Sequence, residues 1–138
     1  MLSANFSSVE FGKVAHLRRE DHRVTILLAE DEPGLRQMLG LVLQAAGYHL
    51  LIAEDGRHAL QLAKEHAGRI DMLLSDIQMP GLTGPVLAQE LLRSRPDLNI
   101  MLMSGCVSDP VVFETGWRFL QKPFAPARLL EEVRAALA

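Results

Sequence analysis

Apolar residues in this chain come in short runs, each followed by a polar or turn-forming segment. Val24–Ala29 is a continuous β-prone run, the pattern of a strand buried on both faces. His49–Ala53, Ile70–Ser75, Leu98–Met103 and Trp117–Gln121 repeat that pattern. Between them the apolar period becomes helical. Pro33 stands at a helix start, Leu35, Met38, Leu39, Val42 and Ala46 recur at helical spacing, and Gly47 supplies a left-handed stop. Asp55-Gly56 caps a second helix through about His66, with Ala59, Leu60 and Ala63 facing inward. The loop Met79-Pro80-Gly81 leads to a third helix over Gly84–Ser94. Arg95-Pro96-Asp97 breaks it, because the residue before proline avoids helical angles. Asp109-Pro110 opens a short helix, over Pro110–Thr115, that Gly116 stops, and Pro126–Leu137 forms the last one. Strands alternating in this way with helices predict an α/β fold whose parallel sheet is covered on both faces.

Length and composition narrow the picture. A chain of 138 residues falls in the size range of one domain and can bury a real core. With 49% apolar residues but only 5% aromatics, that core is built from Leu, Val, Ile, Met and Ala. The net charge of −3 gives no general attraction to nucleic acid, and no Lys/Arg block tracks phosphates. The one cysteine, Cys106, excludes an internal disulfide framework and fits a reducing compartment. No apolar stretch approaches the roughly 20 residues needed to span a bilayer, and the start lacks a secretory pattern. A cytoplasmic location without membrane insertion is the expectation. Residues 1–22 read differently from the rest, as a partly ordered arm ahead of a domain over 23–138. Val9, Val14 and Leu17 in that arm offer a short apolar face for docking as the other reading.

The polar residues that end the runs are chemically specific. Ala29 is followed by Glu30-Asp31, Ser75 by Asp76, Met103 by Ser104 and Gln121 by Lys122-Pro123. In an open parallel sheet such strand ends meet at the crevice where strand order reverses. Glu30, Asp31 and Asp76 together suit a hard divalent cation such as Mg²⁺, which takes oxygen ligands and keeps several waters. Three crowded carboxylates repel one another, so their grouping makes physical sense with a cation among them.

These segments carry a family resemblance. Ile26-Leu27-Leu28-Ala29-Glu30-Asp31-Glu32-Pro33 resembles the first strand and acidic loop of response-regulator receiver domains. Ser75-Asp76-Ile77-Gln78-Met79-Pro80-Gly81 resembles the phosphoacceptor strand and loop of that family. Met103-Ser104-Gly105 and Phe119-Leu120-Gln121-Lys122-Pro123-Phe124 resemble its later motifs, in wording most similar to receivers attached to hybrid sensor histidine kinases. The resemblance covers about Arg23–Ala138. It implies a flavodoxin-like, doubly wound (βα)5 three-layer sandwich with strand order 2-1-3-4-5. It implies Asp76 as the phosphoacceptor, taking a phosphoryl group from a sensor histidine kinase or a histidine phosphotransfer domain. Asp31 then ligates Mg²⁺ (or Mn²⁺ in its place) directly, Glu30 through water, and Asp76 and the main-chain carbonyl of Gln78 complete the set. Ser104 and Lys122 bind the phosphoryl group, Ser104 and Phe119 form a switch, and Lys122-Pro123 is a cis peptide. Gly105 keeps the site open, while Gln78 and Cys106 line the route of water to the phosphoryl group.

The resemblance further implies autophosphorylation from small phosphodonors and autodephosphorylation, without turnover of an external metabolite. The partner after the kinase is an unknown downstream protein, and the chain is expected as a monomer or weak dimer. The lack of an output segment after the last helix points to action through protein contact, and Met1 leans toward a free-standing regulator, with a fragment of a hybrid kinase as the other reading. Two departures stand out. The stretch from Ser104 to Lys122 is several residues shorter than usual, leaving its helix about two turns. Ala125 also replaces the usual helix cap, a loss of about 1 kcal/mol that Pro126 partly offsets. Among rival readings, an aspartyl-nucleophile phosphatase wants a second aspartate where Gln78 stands, and a flavin domain wants an uncharged first loop. A degenerate receiver acting only as an interaction module is the remaining alternative.

Overall fold

The computed structural model describes residues 23–105 and 116–138. Five parallel strands, β1 (Thr25–Ala29), β2 (His49–Ala53), β3 (Met72–Asp76), β4 (Asn99–Ser104) and β5 (Arg118–Gln121), form one sheet in the order β2-β1-β3-β4-β5. This is the flavodoxin-like order, with its switch point between β1 and β3. Four helices are described: α1 (Pro33–Ala45), α2 (Gly56–Glu65), α3 (Gly84–Ser94) and α4 (Pro126–Leu137). The expected short helix over Pro110–Thr115, Cys106 and the expected arm over 1–22 lie outside the described residues.

Side chains of the strands alternate between two cores. Ile26, Leu28, Met72, Leu74, Met101, Met103 and Leu120 face α1 and α4, against Leu39, Leu43, Leu129 and Val133. Leu27, Ala29, Leu73, Ile100 and Leu102 face α2 and α3, against Ala59, Ala63, Leu87 and Leu91. That two-sided burial explains why β1 and β3 are continuous apolar runs rather than alternating ones. It also makes the molecule three layers deep.

Local chemistry sets the helix ends. The Glu32 carboxylate accepts from Leu35 N (2.7 Å) and Gly34 N (3.2 Å), and Asp55 accepts from His58 N (2.8 Å). Thr83 caps α3, whereas Ala125 gives α4 no side-chain cap. Gly47 has a φ of 101°, the left-handed stop expected after α1. The Arg95 guanidinium, just past α3, donates to the carbonyls of Ala63 (3.0 Å), His66 (2.9 Å) and Gly68 (3.0 Å) at the end of α2. Several expectations are corrected. Ala46 is exposed because α1 has already ended there, and Leu43 is buried in its place. β3 starts at Met72 rather than Ile70, since Asp71 turns its carboxylate to Thr25 N (2.9 Å) and to Arg69 (2.7 Å). β4 extends through Ser104, which pairs with Gln121.

The register brings the functional strand ends level. Ala29 lies opposite Ser75, Asp76 opposite Met103 and Ser104 opposite Gln121. The loop after β3 then folds back so that Gly84 N bonds Ile77 O at 2.9 Å. A Cβ added at Gly84 would collide with the main-chain carbonyl of Asp76. The start of α3 thus rests directly on the backbone of Asp76, and only glycine permits that approach. Gly84→Ala is expected to destabilise the fold by about 1–3 kcal/mol. Urea denaturation of the variant with an unchanged midpoint would contradict this packing.

Candidate functional site

The site is built at the C-terminal ends of β1, β3, β4 and β5. Glu30, directly after β1, is fully buried although it is acidic. Its carboxylate is compensated: Oε2 accepts from Glu32 N at 3.1 Å and Oε1 from Lys122 Nζ at 3.3 Å. Its backbone is held too, with N donating to Ala53 O (3.2 Å) and O accepting from Arg36 Nη1 (3.0 Å). A buried carboxylate persists only with such partners. Asp31, the next residue, is exposed.

Asp76 ends β3 with 5% exposure. Its Oδ1 lies 2.5 Å from Lys122 Nζ. Lys122 follows β5, and its backbone N donates to Ser104 O at 2.8 Å, tying the ends of β4 and β5 together. The peptide from Lys122 to Pro123 is cis. Carboxylate oxygens of Glu30, Asp31 and Asp76 all lie within 4.8 Å of one another. A cleft of about 300 Å³ opens over them, lined also by Glu32, Gln78, Met103 and Gly105. A larger groove of about 530 Å³, beside Leu92, Ile100 and Trp117, has no ionisable side chain among its lining residues. Chemistry, not size, distinguishes the acidic cleft.

Electrostatics follow from the crowding. Burial, then the neighbouring Glu30, push the Asp76 carboxyl up to about 7, against the opposing pull of Lys122. Burial works against the charge of Lys122, but its bonds to Asp76 and Glu30 outweigh that, so its ammonium is held above the ordinary lysine value. A cluster of hard oxygen donors whose negative charge is only partly balanced by one ammonium suits a hard divalent cation.

The predicted site residues fall into two groups. Glu30, Asp31, Asp76, Gln78 and Lys122 line one cleft. Ser104 is half-buried at the end of β4, on the same edge of the sheet. Phe119 lies lower, opposite Leu102 and half-buried against the α2/α3-side core. Sequence reasoning missed three contributors. Glu32 caps α1 and lines the cleft, Arg36 holds the Glu30 carbonyl, and Gly84 supports Asp76. The spacing of Glu32 before Pro33 is a readable cap signal, whereas Arg36 reads as one more exposed helix residue.

The sequence profile of response regulator receiver domains matches residues 26–134. The chain belongs to this family. Among its relatives, the sensor kinase CckA of Brucella abortus (strain 2308) is 34% identical over 117 residues, which are 82% of this chain and 12% of that protein. The C4-dicarboxylate transport transcriptional regulatory protein DctD of Pseudomonas aeruginosa is 34% identical over 122 residues, 85% of this chain and 26% of that protein. This receiver therefore spans only a small part of these curated relatives. Among solved structures, the receiver domain of the hybrid histidine kinase CckA superposes with a TM-score of 0.68 at 39% identity, over 83% of this chain and 99% of that one. The chemotaxis response regulator CheY4 of Vibrio cholerae gives 0.75 at 30% identity, over 84% and 100%. The response regulator TrrA of Thermotoga maritima, solved in complex with Mg(2+)-BeF, gives 0.71 at 31% identity, over 83% and 99%. No helix among the described residues of this receiver is long and apolar enough to cross a membrane.

The raised Asp76 carboxyl has a pH consequence. Below about pH 4 it is protonated in both folded and unfolded chains. Between its ordinary value of 3.8 and about 7 the unfolded chain ionises while the folded one does not, so stability falls as pH rises. Without divalent metal, Asp76→Asn should therefore gain on the wild type from pH 4 to pH 8, by on the order of 2–4 kcal/mol. Urea titrations in chelator at several pH values read this, and a pH-independent difference would contradict it.

Proposed function

We propose that this receiver is a Mg²⁺-dependent phosphoacceptor that takes a phosphoryl group onto Asp76 from the phosphohistidine of a sensor histidine kinase or a histidine phosphotransfer domain. In the transfer the P–N bond of the donor breaks, its electron pair returns to the imidazole nitrogen, and a P–O bond forms to the Asp76 carboxylate. Such a step asks the protein for alignment and charge neutralisation rather than proton transfer. The observation that carries the reading is the convergence of Glu30, Asp31 and Asp76 carboxylates within 4.8 Å, with Lys122 in contact with Asp76.

Each residue then has a task. Asp31, Asp76, Glu30 through water and the Gln78 carbonyl hold the cation, Mg²⁺ with Mn²⁺ as substitute. When bound, it neutralises charge on the phosphoryl oxygens. Lys122 exchanges its partner from the Asp76 carboxylate to the phosphoryl group as a point charge. Ser104 donates its hydroxyl to the same group. Phe119 turns inward as Ser104 moves, shifting the population between two packings of this edge. Small phosphodonors substitute for the kinase, and slow autodephosphorylation resets the domain. The protein works in the cytoplasm as a monomer or weak dimer and passes its state to a downstream protein, not to nucleic acid. The intact acidic set and lysine count against a degenerate, phosphorylation-independent module.

Incubation with Mg²⁺ and a small phosphodonor, followed by intact mass, should show one added phosphoryl group that hydroxylamine removes. Its persistence in Asp76→Asn would place the acceptor elsewhere, and its absence from the wild type would sink the reading. Mg²⁺ at about a hundred times its Kd should stabilise the fold by about 3 kcal/mol. Asp31→Ala should abolish that gain in a thermal melt; an undiminished gain would remove Asp31 from the ligand set.

A further inference from the structure

Among the described residues, Glu30 is held at four points and Asp31 at none. Glu30 is fixed through its N, its O and both carboxylate oxygens. The Asp31 side chain is exposed and has no protein partner among the described residues. Where its carboxylate points therefore depends on the backbone that carries it. The Glu30 carbonyl belongs to the planar peptide unit that joins Glu30 to Asp31. That carbonyl accepts from Arg36 Nη1 at 3.0 Å, in a part-buried contact. Arg36 sits in the first turn of α1, where its own N bonds Glu32 O at 2.9 Å. It forms no ion pair among the described residues, so this one main-chain carbonyl is its partner.

We infer that Arg36 is a positioning residue for the cation site, locking the peptide plane from which Asp31 projects. The inference rests on the proposed metal site and assigns the residue that preorganises it. Two opposite effects decide the test. As a positive charge beside the acidic loop, Arg36 weakens cation binding by Coulomb repulsion, and its removal should tighten Mg²⁺. As a clamp on the peptide plane it strengthens binding, because groups that orient ligands typically govern affinity by about 10-fold or more. The sign of the change tells the two apart.

Mg²⁺ titration of the full chain, followed by calorimetry or by backbone amide shifts of residues 30–32, gives the affinity without any phosphodonor. Arg36→Met, which keeps the length and loses donor and charge, should raise the Mg²⁺ Kd about 10-fold. Arg36→Lys should recover most of the loss. Arg36→Leu, which also lacks a donor and a charge, carries the same comparison should Arg36→Met fail to fold. A tighter or unchanged Mg²⁺ Kd in Arg36→Met would overturn the inference. A wild type that binds no Mg²⁺ would overturn both it and the metal site. A wild type that binds Mg²⁺ yet accepts no phosphoryl group would overturn only the phosphoacceptor reading.

Discussion

Like charges packed at the edge of a sheet are the constraint around which this receiver is organised. The parallel topology delivers Glu30 and Asp76 to adjacent strand ends, and burial denies them the water that would screen their repulsion. One ammonium, Lys122, reaches both carboxylates and makes the arrangement tolerable. It comes from the far side of the sheet, 92 residues after Glu30 in the chain. Every strand between β1 and β5 must therefore be in register before the charge balance exists. Stability and site formation are in this sense the same event.

That constraint also explains which parts of the molecule were legible in the chain. β2, α3 and α4 have the bounds read from hydrophobic period and from Gly and Pro. The strand ends were legible because a buried strand leaves a continuous apolar run, and polar atoms can resume only where it emerges. The helix start at Glu32-Pro33 carries its own cap chemistry. What the chain hid depends on pairs far apart in sequence. Ile70 looks like strand, but Asp71 spends its carboxylate on Thr25 and Arg69, and the ladder begins one residue later. Ala46 has the right spacing for the core, yet α1 stops before it and Leu43 takes the place.

The candidate site divides along the same line. Residue types at strand ends follow from local pattern, so the carboxylates, Ser104 and Lys122 are legible in the chain. The supports beneath them were not. Gly84 matters because α3 starts against the Asp76 carbonyl, a fact of tertiary approach. Arg36 matters because a helix turn brings its guanidinium over a peptide six residues earlier. Local pattern names the polar groups at the strand ends, and tertiary geometry names the residues that support them.

The single guanidinium of Arg95, shared by three carbonyls at the end of α2, has a mechanical meaning for this side of the molecule. It rivets the C-terminal ends of α2 and α3 together, while the loop before α3 carries Gln78 into the acidic cleft. Two helices bonded together at one end resist sliding past each other, so this side of the molecule is braced at the edge remote from the acidic site.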